Sequence, residues 1–321
     1  MNKSDRKRGW KKLAVGLLRF VLRIYIRFSP WNTLKSAAYD KFWKYIAWRS
    51  HSAVTRTRYA FKMVTQVNDL IGGTIYLTGQ WEPYITFYVR QTLRPGDIFI
   101  DVGANIGYYS LLASTLVGIS GHVYSIEAST SIYKILLQNI RLNGYKNVTA
   151  INAAASDAAG EAVIWLASER NLGRSTTVSG IASAEEMQRE STVRADTIDK
   201  LVGPDVLKQA RLVKVDVEGA ERAVLGAVLR SPTLLGTNTE WLIELARSFL
   251  TNDRQDSDWI FDSFMALGYS AFTVPNGYDK SWYLARPQSA ALTRVFKLPE
   301  EQVDVLFRPP GQANQKMSTV G

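Results

Sequence analysis

Short apolar runs alternate with amphipathic segments from about residue 96 onward. Apolar runs of strand length occur at 97–102, 122–127, 147–153, 211–217 and 240–245. Segments with helical spacing of apolar residues follow most of them, at 106–117, 130–142, 219–229 and 256–267. This alternation predicts an α/β domain with a doubly wound, mostly parallel sheet, whose ligands bind at the carboxyl ends of the strands.

Two further strands are predicted near the C-terminal end. Residues 269–275 and 281–286 flank Asn276-Gly277, a dipeptide that favours a hairpin turn, so we expect a closing antiparallel pair. Residues 167–192 are polar, and we expect them to form a long loop or a partly helical excursion. Residues after Pro309-Pro310 are expected to be disordered.

The N-terminal end predicts an amphipathic helix over residues 10–28. Arg19, Arg23 and Arg27 recur every four residues. Arg8 and Lys12 extend this basic stripe, and the opposite face carries Leu13, Leu17, Phe20, Val21, Ile24 and Phe28. Each Arg costs about 2.5–3.5 kcal/mol in a membrane interior and each apolar residue returns about 0.3–0.6 kcal/mol, so we expect the helix to lie on a membrane rather than span it.

Positive charge is concentrated in the first 62 residues. They carry 16 Lys or Arg and two acids, in a chain with a formal net charge of +10. Together with Trp31, Trp43 and Trp48, this favours contact between residues 8–48 and an anionic membrane surface. Packing of the basic helix on the rest of the chain or on a partner subunit is an equal alternative. A signal peptide is disfavoured because the arginines interrupt its apolar region.

Charge and pattern together predict three regions. These are a basic amphipathic helical extension at 1–62, an α/β domain at 63–308 and a disordered tail at 309–321. The chain has no Cys and only two His, His51 and His122. Disulfides and Cys-ligated metal centres are therefore excluded, and a Ser-His-Asp triad is disfavoured.

The first predicted strand ends in the sequence DVGANIG, residues 101–107. A Gly-x-Gly-x-x-Gly fingerprint is absent, because Asn105 and Tyr108 stand at its second and third glycine positions. Gly103 and Gly107 still permit a tight turn and a close backbone approach to a ligand. A carboxylate at Asp101 would attract a cationic ligand end and repel a diphosphate. This favours S-adenosylmethionine, which carries an ammonium and a sulfonium.

Acidic side chains also follow the next two predicted strands. Glu127 ends the second strand, where it would accept both ribose hydroxyls of a nucleoside. Ala155, Ser156 and Asp157 follow the third strand, where an adenine ring would lie and Asp157 would accept from its amino group. Three such acids in register with a glycine turn favour a nucleoside site over a purely structural origin.

A further acidic group lies in the sequence KVDVEGAE, residues 214–221. Asp216 ends a strand, whereas Glu218 and Glu221 open the following helix, where helix capping is the structural alternative. Glu244 ends the next strand near the same edge. Such a group would deprotonate an acceptor hydroxyl, or hold a divalent metal with Asp216 and Glu244 among the ligands.

Taken in order, these motifs resemble the FkbM family of S-adenosylmethionine-dependent methyltransferases. The resemblance covers about residues 97–245, with GQWEP (79–83) as a similar lead-in. It rests on DIFIDVGANIGYYSLLAS, Glu127, QNIRLNG (138–144), AAASDAAGEA (153–162), RADTIDKL (194–201) and LVKVDVEGAE (212–221). The resemblance implies a class I methyltransferase (Rossmann-like) fold and O-methylation, often of sugars or natural-product hydroxyls.

The resemblance also implies roles for single residues. The cofactor would be bound by Asp101, Gly103, Asn105, Gly107, Glu127, Ala128, Ser156 and Asp157, and the acceptor side would carry Asp216, Glu218 and Glu221. Family members commonly have Glu-Pro after the second strand, whereas this chain has Glu127-Ala128. Because the Glu is retained, ribose binding is expected to be retained.

Three functions remain open at this point. The first is O-methylation of a sugar, glycan or natural-product hydroxyl, in the cytoplasm and at the inner face of the plasma membrane. The second is RNA methylation with the basic arm on phosphates, which the mildly acidic remainder of the chain disfavours. The third is a non-catalytic, membrane-docked nucleoside-binding module. We expect the acceptor pocket to come from residues 63–95, residues 167–192 and the C-terminal hairpin.

Overall fold

A computed structural model describes residues 3–29, 31–45, 47, 52–167, 175–245, 253–277 and 279–312. The chain divides into two compact units. The N-terminal unit comprises Met1–Pro83 and Gly277–Arg286, and the sheet unit comprises Tyr84–Asn276 and Pro287–Gly321. The predictions for Trp48, His51 and the tail from residue 313 lie outside the described residues.

Twelve α-helices occur among the described residues. They are α1 (Lys3–Phe28), α2 (Asn32–Tyr45), α3 (Leu70–Thr78), α4 (Pro83–Thr92), α5 (Tyr108–Val117), α6 (Thr130–Asn143), α7 (Ser179–Ala184), α8 (Ile198–Val202), α9 (Pro204–Gln209), α10 (Glu221–Arg230), α11 (Asp253–Ala266) and α12 (Lys280–Tyr283). A short 3-10 helix spans Pro232–Leu234.

The same part of the chain contains thirteen strands. They are β1 (Ser52–Arg56), β2 (Lys62–Gln66), β3 (Ile98–Val102), β4 (His122–Ile126), β5 (Val148–Ile151), β6 (Ala154–Ala155), β7 (Gly160–Leu166), β8 (Gln188–Asp196), β9 (Leu212–Val215), β10 (Glu240–Leu245), β11 (Ser270–Val274), β12 (Thr293–Val295) and β13 (Val303–Arg308). The strands and helices predicted between residues 97 and 275 are present, with ends that differ by a few residues.

Eight strands form the central sheet of the sheet unit, in the order β12-β11-β13-β10-β9-β3-β4-β5. The run from β10 through β9, β3 and β4 to β5 is parallel. Strand β13 is antiparallel to both of its neighbours, β10 and β11. The edge strand β12 is also antiparallel to β11. A parallel run of strands with an antiparallel strand next to β11 is the class I methyltransferase fold, as the resemblance implied.

The parallel strands lie in the core, which explains why their sequences are apolar runs rather than alternating patterns. Every residue of β9 and β10 is buried. Val213, Leu225 and Phe264 belong to one core cluster that joins these strands to α10 and α11. Because β3, β4, β9 and β10 are parallel, their carboxyl ends share one edge, and this places the predicted site residues near one another.

A three-stranded sheet, in the order β6-β8-β7, differs from the sequence expectation. The polar stretch 167–192 contains α7, but its last residues begin β8. Residues 168–174 of that stretch lie outside the described part of the chain. Strand β8 pairs antiparallel with β7 and is largely exposed, so its sequence QRESTVRAD lacks the apolar residues by which a core strand is identified.

The closing antiparallel strands are present, but their positions differ from the prediction. Strand β11 pairs with β12 and β13, which lie further along the chain than 281–286. Residues 280–283 instead form α12, because the Asp279 side chain caps it by accepting from the Ser281 N–H at 2.7 Å. Asn276 does not serve a tight turn; its side-chain amide donates to Asp304 at 2.9 Å.

The N-terminal unit contains three helices and a two-stranded sheet before residue 83. Helix α1 covers the predicted helical segment and packs on α2 and α3. Asp69 begins α3 by accepting the Gly72 N–H, and Gly79 ends it in a left-handed conformation. Among the described residues, each helix falls short of the length or the apolarity needed to cross a bilayer.

Candidate cofactor and acceptor site

In the turn after β3, every second residue from Gly103 to Gly107 has a left-handed backbone conformation. Gly103, Asn105 and Gly107 have φ angles of 81°, 50° and 92°, which lie in the left-handed region. Only Gly adopts this region without a steric cost, and Asn tolerates it better than most residues. Asn139, in the predicted motif QNIRLNG, is buried and donates to the Ile106 carbonyl at 2.8 Å. This hydrogen bond therefore fixes the turn to α6.

Gly103 is required for a second reason. A Cβ at this position would lie 1.8 Å from the backbone carbonyl oxygen of Asp216. No side chain fits in that space, so only Gly allows the turn after β3 to touch the segment after β9. The two motifs that the sequence separates by more than a hundred residues are thus in direct backbone contact.

Glu127 receives two backbone hydrogen bonds at the end of β4. One carboxylate oxygen accepts the Asn105 N–H at 2.8 Å, and the other accepts the Ser129 N–H at 2.8 Å. A carboxylate offers about four lone-pair positions, so each oxygen keeps one for a ligand. Asn152 donates to the Glu127 carbonyl at 2.9 Å and fixes the main chain there. This geometry suits a pair of vicinal hydroxyls.

Burial controls the protonation of Glu127. The side chain is almost fully buried, and this raises the pKa of its carboxyl to about 7, although the hydrogen bonds from Ser129 and Asn105 favour the ionised form. Nearly half of the free protein therefore holds Glu127 protonated at neutral pH. Hydrogen bonds from the hydroxyls of a bound ribose would stabilise the ionised form of Glu127 and lower this pKa.

An open cavity of about 580 Å³ lies beside these groups. Its polar lining includes Asn105, Glu127, Asp216 and Glu218. Its apolar lining includes Ile126, Ala128, Ile132, Ala153, Ala154, Ala155 and Ile164. Apolar side chains beside a carboxylate that can accept from vicinal hydroxyls suit the adenosine part of S-adenosylmethionine.

Several residues predicted to contact the cofactor do not line this cavity. Asp101 is buried below the turn, where it accepts from the Ser110 hydroxyl at 2.6 Å. Burial raises the pKa of Asp101 to about 6, against the opposing effect of Lys214. Asp101 does not line the cavity, and its direct contact with the cationic ligand end stays a prediction. Gly107 likewise packs inward, and a Cβ there would lie 2.5 Å from Leu136.

Asp157 and Ser156 also differ from the expectation. The Asp157 carboxylate is about half exposed and lies 3.6 Å from the Arg230 guanidinium. The Ser156 N–H donates to the Asp196 carbonyl at 2.9 Å, in the small sheet. The adenine slot is lined instead by the three alanines that precede them in the chain, because the backbone turns away from the cavity after Ala155.

Asp216 lies between a cation and an acid on the other side of the cavity. The buried Lys214 ammonium is 2.6 Å from one Asp216 oxygen, and Glu244 donates a hydrogen bond to Asp216. Burial alone would raise the pKa of Asp216, but Lys214 and Glu244 together hold it below its usual value. Burial and the Asp216 charge raise the pKa of Glu244 well above its usual range. The pair therefore holds one proton, on Glu244.

The two other acids predicted on the acceptor side have different surroundings. Glu218 lines the cavity with a φ of 50°, and its carbonyl accepts from the Thr176 hydroxyl at 2.9 Å. Glu221 is buried outside the lining, and its carboxylate accepts from the Gly219 N–H at 3.1 Å. Burial raises the pKa of Glu221 to about 7. This hydrogen bond at the start of α10 is in keeping with helix capping, the structural alternative, and a contact of Glu221 with the acceptor stays a prediction.

Two parts of the site were not identified from the sequence. Ser175, Thr176 and Thr177 line the cavity, and Thr176 is held in place by a backbone bridge to Trp165. Gln302 reaches the site from the residue before β13 and donates to Glu244. These residues lie in polar, loop-like segments, which have no hydrophobic periodicity by which the sequence could identify them.

The acids also form a group that resembles an oxygen-ligand metal site. One carboxylate oxygen each from Asp216, Glu218 and Glu244 lie within 4.8 Å of one another. Carboxylates at this spacing are ligands for Mg²⁺ or Ca²⁺. The Lys214 ammonium lies 2.6 Å from one Asp216 oxygen and would compete with such an ion for this carboxylate.

Comparison with known proteins gives short matches to curated methyltransferases. A protein-L-isoaspartate O-methyltransferase of Ignicoccus hospitalis is 34% identical over 71 residues, covering 22% of this chain and 34% of that protein. A ribosomal protein L11 methyltransferase of Caldanaerobacter subterraneus subsp. tengcongensis is 33% identical over 84 residues, covering 26% of each. The chain thus spans between a quarter and a third of the length of these relatives.

Solved structures of methyltransferases also align with the chain. The fibrillarin of Aeropyrum pernix, crystallised with natively bound S-adenosyl-L-methionine, has a TM-score of 0.39 and 12% identity, covering 81% of this chain and 99% of its own. An S-adenosylmethionine-dependent O-methyltransferase of Thermotoga maritima has a TM-score of 0.38 and 14% identity, covering 80% and 77%.

A family match covers a larger part of the chain. The Methyltransferase FkbM domain matches residues 101–266, just over half of the 321 residues. That range contains the turn after β3, Glu127, Asp216 and Glu244, which are the groups assembled around the cavity. The chain therefore belongs to the FkbM family, and residues 101–266 form its methyltransferase domain.

Proposed function

We propose that the enzyme methylates a hydroxyl oxygen of an uncharged acceptor, a sugar, glycan or natural product. The observation that carries this proposal is the Asp216–Glu244 pair beside the cavity. Asp216 is held as a carboxylate at neutral pH, and an ionised carboxylate accepts hydrogen bonds and protons but donates none. A hydroxyl is the acceptor group that such a side chain orients best.

The charge around Asp216 supports an uncharged acceptor. Glu218 and Glu244 lie near Asp216, Asp304 lies near Glu244, and Lys214 is the cation paired with Asp216. Phosphate groups brought to this edge would be repelled by the ionised acids and would find the Lys214 ammonium already engaged. The site therefore favours a neutral polyol over RNA, whose backbone carries one phosphate per nucleotide.

The residues divide the work of the reaction between them. S-adenosylmethionine, when bound, would supply an electrophilic methyl group, and its sulfur–methyl bond would break to leave S-adenosylhomocysteine. Asp216 accepts the proton that the acceptor hydroxyl loses as its oxygen bonds to the methyl carbon. Glu244 donates to Asp216 and Gln302 donates to Glu244, so both acids are held in one orientation. The contact between Gly103 and Asp216 sets the distance between the two substrates, which is the main source of acceleration in such a transfer.

Methyl transfer to fractionated cell extracts tests the proposal. Purified wild-type enzyme and Asp216→Asn would each be incubated with methyl-labelled S-adenosylmethionine, and the products treated separately with nuclease, protease and mild alkali. We expect label in a nuclease- and protease-resistant fraction that survives alkali, because a methyl ether is stable there and a methyl ester is not. Label confined to RNA, or label released by alkali, would overturn it.

A further inference from the structure

Two arginines of the basic stripe of α1, Arg23 and Arg27, are turned towards the protein. Arg27 donates to the carbonyls of Ile75 (3.3 Å), Tyr76 (2.9 Å) and Leu77 (3.3 Å), in the last turn of α3. A guanidinium at a helix C-terminus is stabilised by the unpaired carbonyls and the helix dipole. The Arg23 guanidinium lies 4.2 Å from the centre of the Tyr76 ring, in a cation–π contact. These two arginines attach the C-terminal part of α1 to the end of α3.

The apolar stripe of the same helix faces outward as a consequence. Its described members are 45–72% exposed, and they are Leu17, Phe20, Val21, Ile24 and Phe28. Their spacing of three and four residues places them on one face. Ile26, on the inner side, is buried. In a soluble protein, an amphipathic helix usually turns its apolar side chains inward and its charged side chains outward. In α1, Arg23 and Arg27 face the protein and the large apolar side chains face outward.

The exposed apolar face, defined by these five residues, continues into α2. Trp31 and Leu34 are exposed at its start, and Tyr45 is exposed at its end. Spacings of seven and eleven residues place Lys41 and Tyr45 on the same face as Leu34, and Lys41 is also exposed. The Lys44 ammonium lies 5.2 Å from the Tyr45 ring centre. Aromatic rings and lysines together are typical of side chains at a lipid headgroup layer.

The net charge of the N-terminal residues favours an anionic lipid surface over a second copy of the chain as the partner of this face. Residues 1–45 carry 12 Lys or Arg and two acids, and six of those cations lie between Lys3 and Lys12. A symmetric dimer through this face would join two helical segments that each carry a net positive charge, and these would repel each other. An anionic lipid surface instead attracts juxtaposed Lys and Arg by about 1 kcal/mol each.

We infer that the exposed apolar face of α1 inserts into the outer part of an anionic lipid monolayer. Phe20, Ile24 and Phe28 reach the acyl boundary, Trp31 and Tyr45 lie at the headgroups, and Lys41 and Lys44 contact lipid phosphates. Arg23 and Arg27 do not bind lipid, because the protein itself occupies them. Insertion therefore depends mainly on the apolar side chains, which is not what the basic stripe alone would suggest.

Vesicle co-sedimentation of the full chain tests this inference. Vesicles of phosphatidylcholine with phosphatidylglycerol would be compared with phosphatidylcholine alone, using wild type and the double variant Phe20→Ser/Ile24→Ser. We expect wild type to bind the anionic vesicles and the variant to lose affinity by roughly a hundredfold, about tenfold for each large apolar side chain removed. Arg23→Gln is expected to reduce the thermal midpoint more than it reduces lipid binding.

Matched controls exist in the sheet unit. Ile119 and Phe296 are also large, apolar and exposed, so Ile119→Ser and Phe296→Ser should bind vesicles as wild type does. Binding of S-adenosylhomocysteine, measured on every variant, shows that the protein is folded independently of lipid. Equal vesicle binding by Phe20→Ser/Ile24→Ser and wild type would refute the inference, as would wild-type protein that stays in the supernatant. A dimer in sedimentation equilibrium that this variant dissociates would assign the face to a second copy instead.

Discussion

Gly103 and Asp216 touch through their backbones, so that a Cβ on Gly103 would lie 1.8 Å from the Asp216 carbonyl oxygen. One of these residues belongs to the turn that borders the cofactor cavity, and the other is the proposed base on the acceptor side. Their contact couples the position of the methyl donor to that of the group that receives the proton. A change that displaces the backbone at either residue should therefore affect both halves of the site.

Gly103→Ala is expected to disrupt the site through two effects. Its φ of 81° is unfavourable for Ala, and the new methyl group overlaps the Asp216 carbonyl. Together these should cost about 3 kcal/mol or more. We expect a lower thermal midpoint and a large loss of affinity for S-adenosylhomocysteine, measured by calorimetry.

Gly144→Ala separates the two effects. Gly144 ends α6 with a φ of 67°, and a Cβ there would meet no atom within 4 Å. Only the backbone strain should remain, about 1–2 kcal/mol, with cofactor affinity unchanged. Equal losses of stability in the two variants would show that the overlap with Asp216 is relieved without cost.

Cofactor affinity is expected to depend on pH through Glu127. Its pKa is about 7 in the free protein, and only the carboxylate accepts two ribose hydroxyls. Below pH 7 the ligand must first displace a proton, so affinity should fall as the pH falls. Between pH 8 and pH 6 we expect a loss of roughly tenfold in the affinity for S-adenosylhomocysteine.

Glu127→Gln provides the control for this pH dependence. The amide keeps the shape of the side chain and has no titration in this range, so binding should be weaker and nearly independent of pH. A pH dependence that persists in Glu127→Gln would assign the titration to another group, of which Asp101 and Glu221 have the nearest pKa values.

Asp216 and Glu244 should respond differently to amide substitution. Asp216→Asn removes the proton acceptor and should lower kcat by about 10²–10⁴-fold, with the affinity for S-adenosylhomocysteine little changed. Glu244 is already neutral, and Gln also donates to Asp216, so Glu244→Gln should retain most of the activity. Initial rates of methyl transfer to the identified acceptor check both. An inactive Glu244→Gln beside an active Asp216→Asn would reverse the assigned protonation states.

Chelation should leave the reaction rate unchanged within about twofold, because the Lys214 ammonium would compete with a divalent ion for the Asp216 carboxylate. The measurement is the initial rate with EDTA and with added Mg²⁺. A rate that falls with EDTA and recovers with Mg²⁺ would show that Asp216, Glu218 and Glu244 bind a metal during catalysis. Lys214→Met serves as the positive control, since removing the ammonium should make the rate sensitive to added Mg²⁺.

The sequence by itself determined the order of the core elements and which strand ends carry chemistry. Parallel strands buried on both faces must be apolar throughout, so β3, β4, β9 and β10 stand out as runs. Their parallel arrangement brings their carboxyl ends to one edge, and Glu127, Asp216 and Glu244 meet there. Left-handed glycines at a strand end, as at Gly103, are also a local property of the chain.

Only the tertiary structure decided where each side chain points. Asp101 lies below the turn and Asp157 beside Arg230, because loop direction depends on packing against α5 and α10 rather than on spacing. Strand β8 is largely exposed and its sequence has no apolar periodicity, so the pattern of the chain does not reveal it. The sequence likewise did not determine which face of α1 is exposed to solvent. A helical stripe shows that two faces differ, but the carbonyls at the end of α3 are what bind Arg27 and turn the apolar face outward.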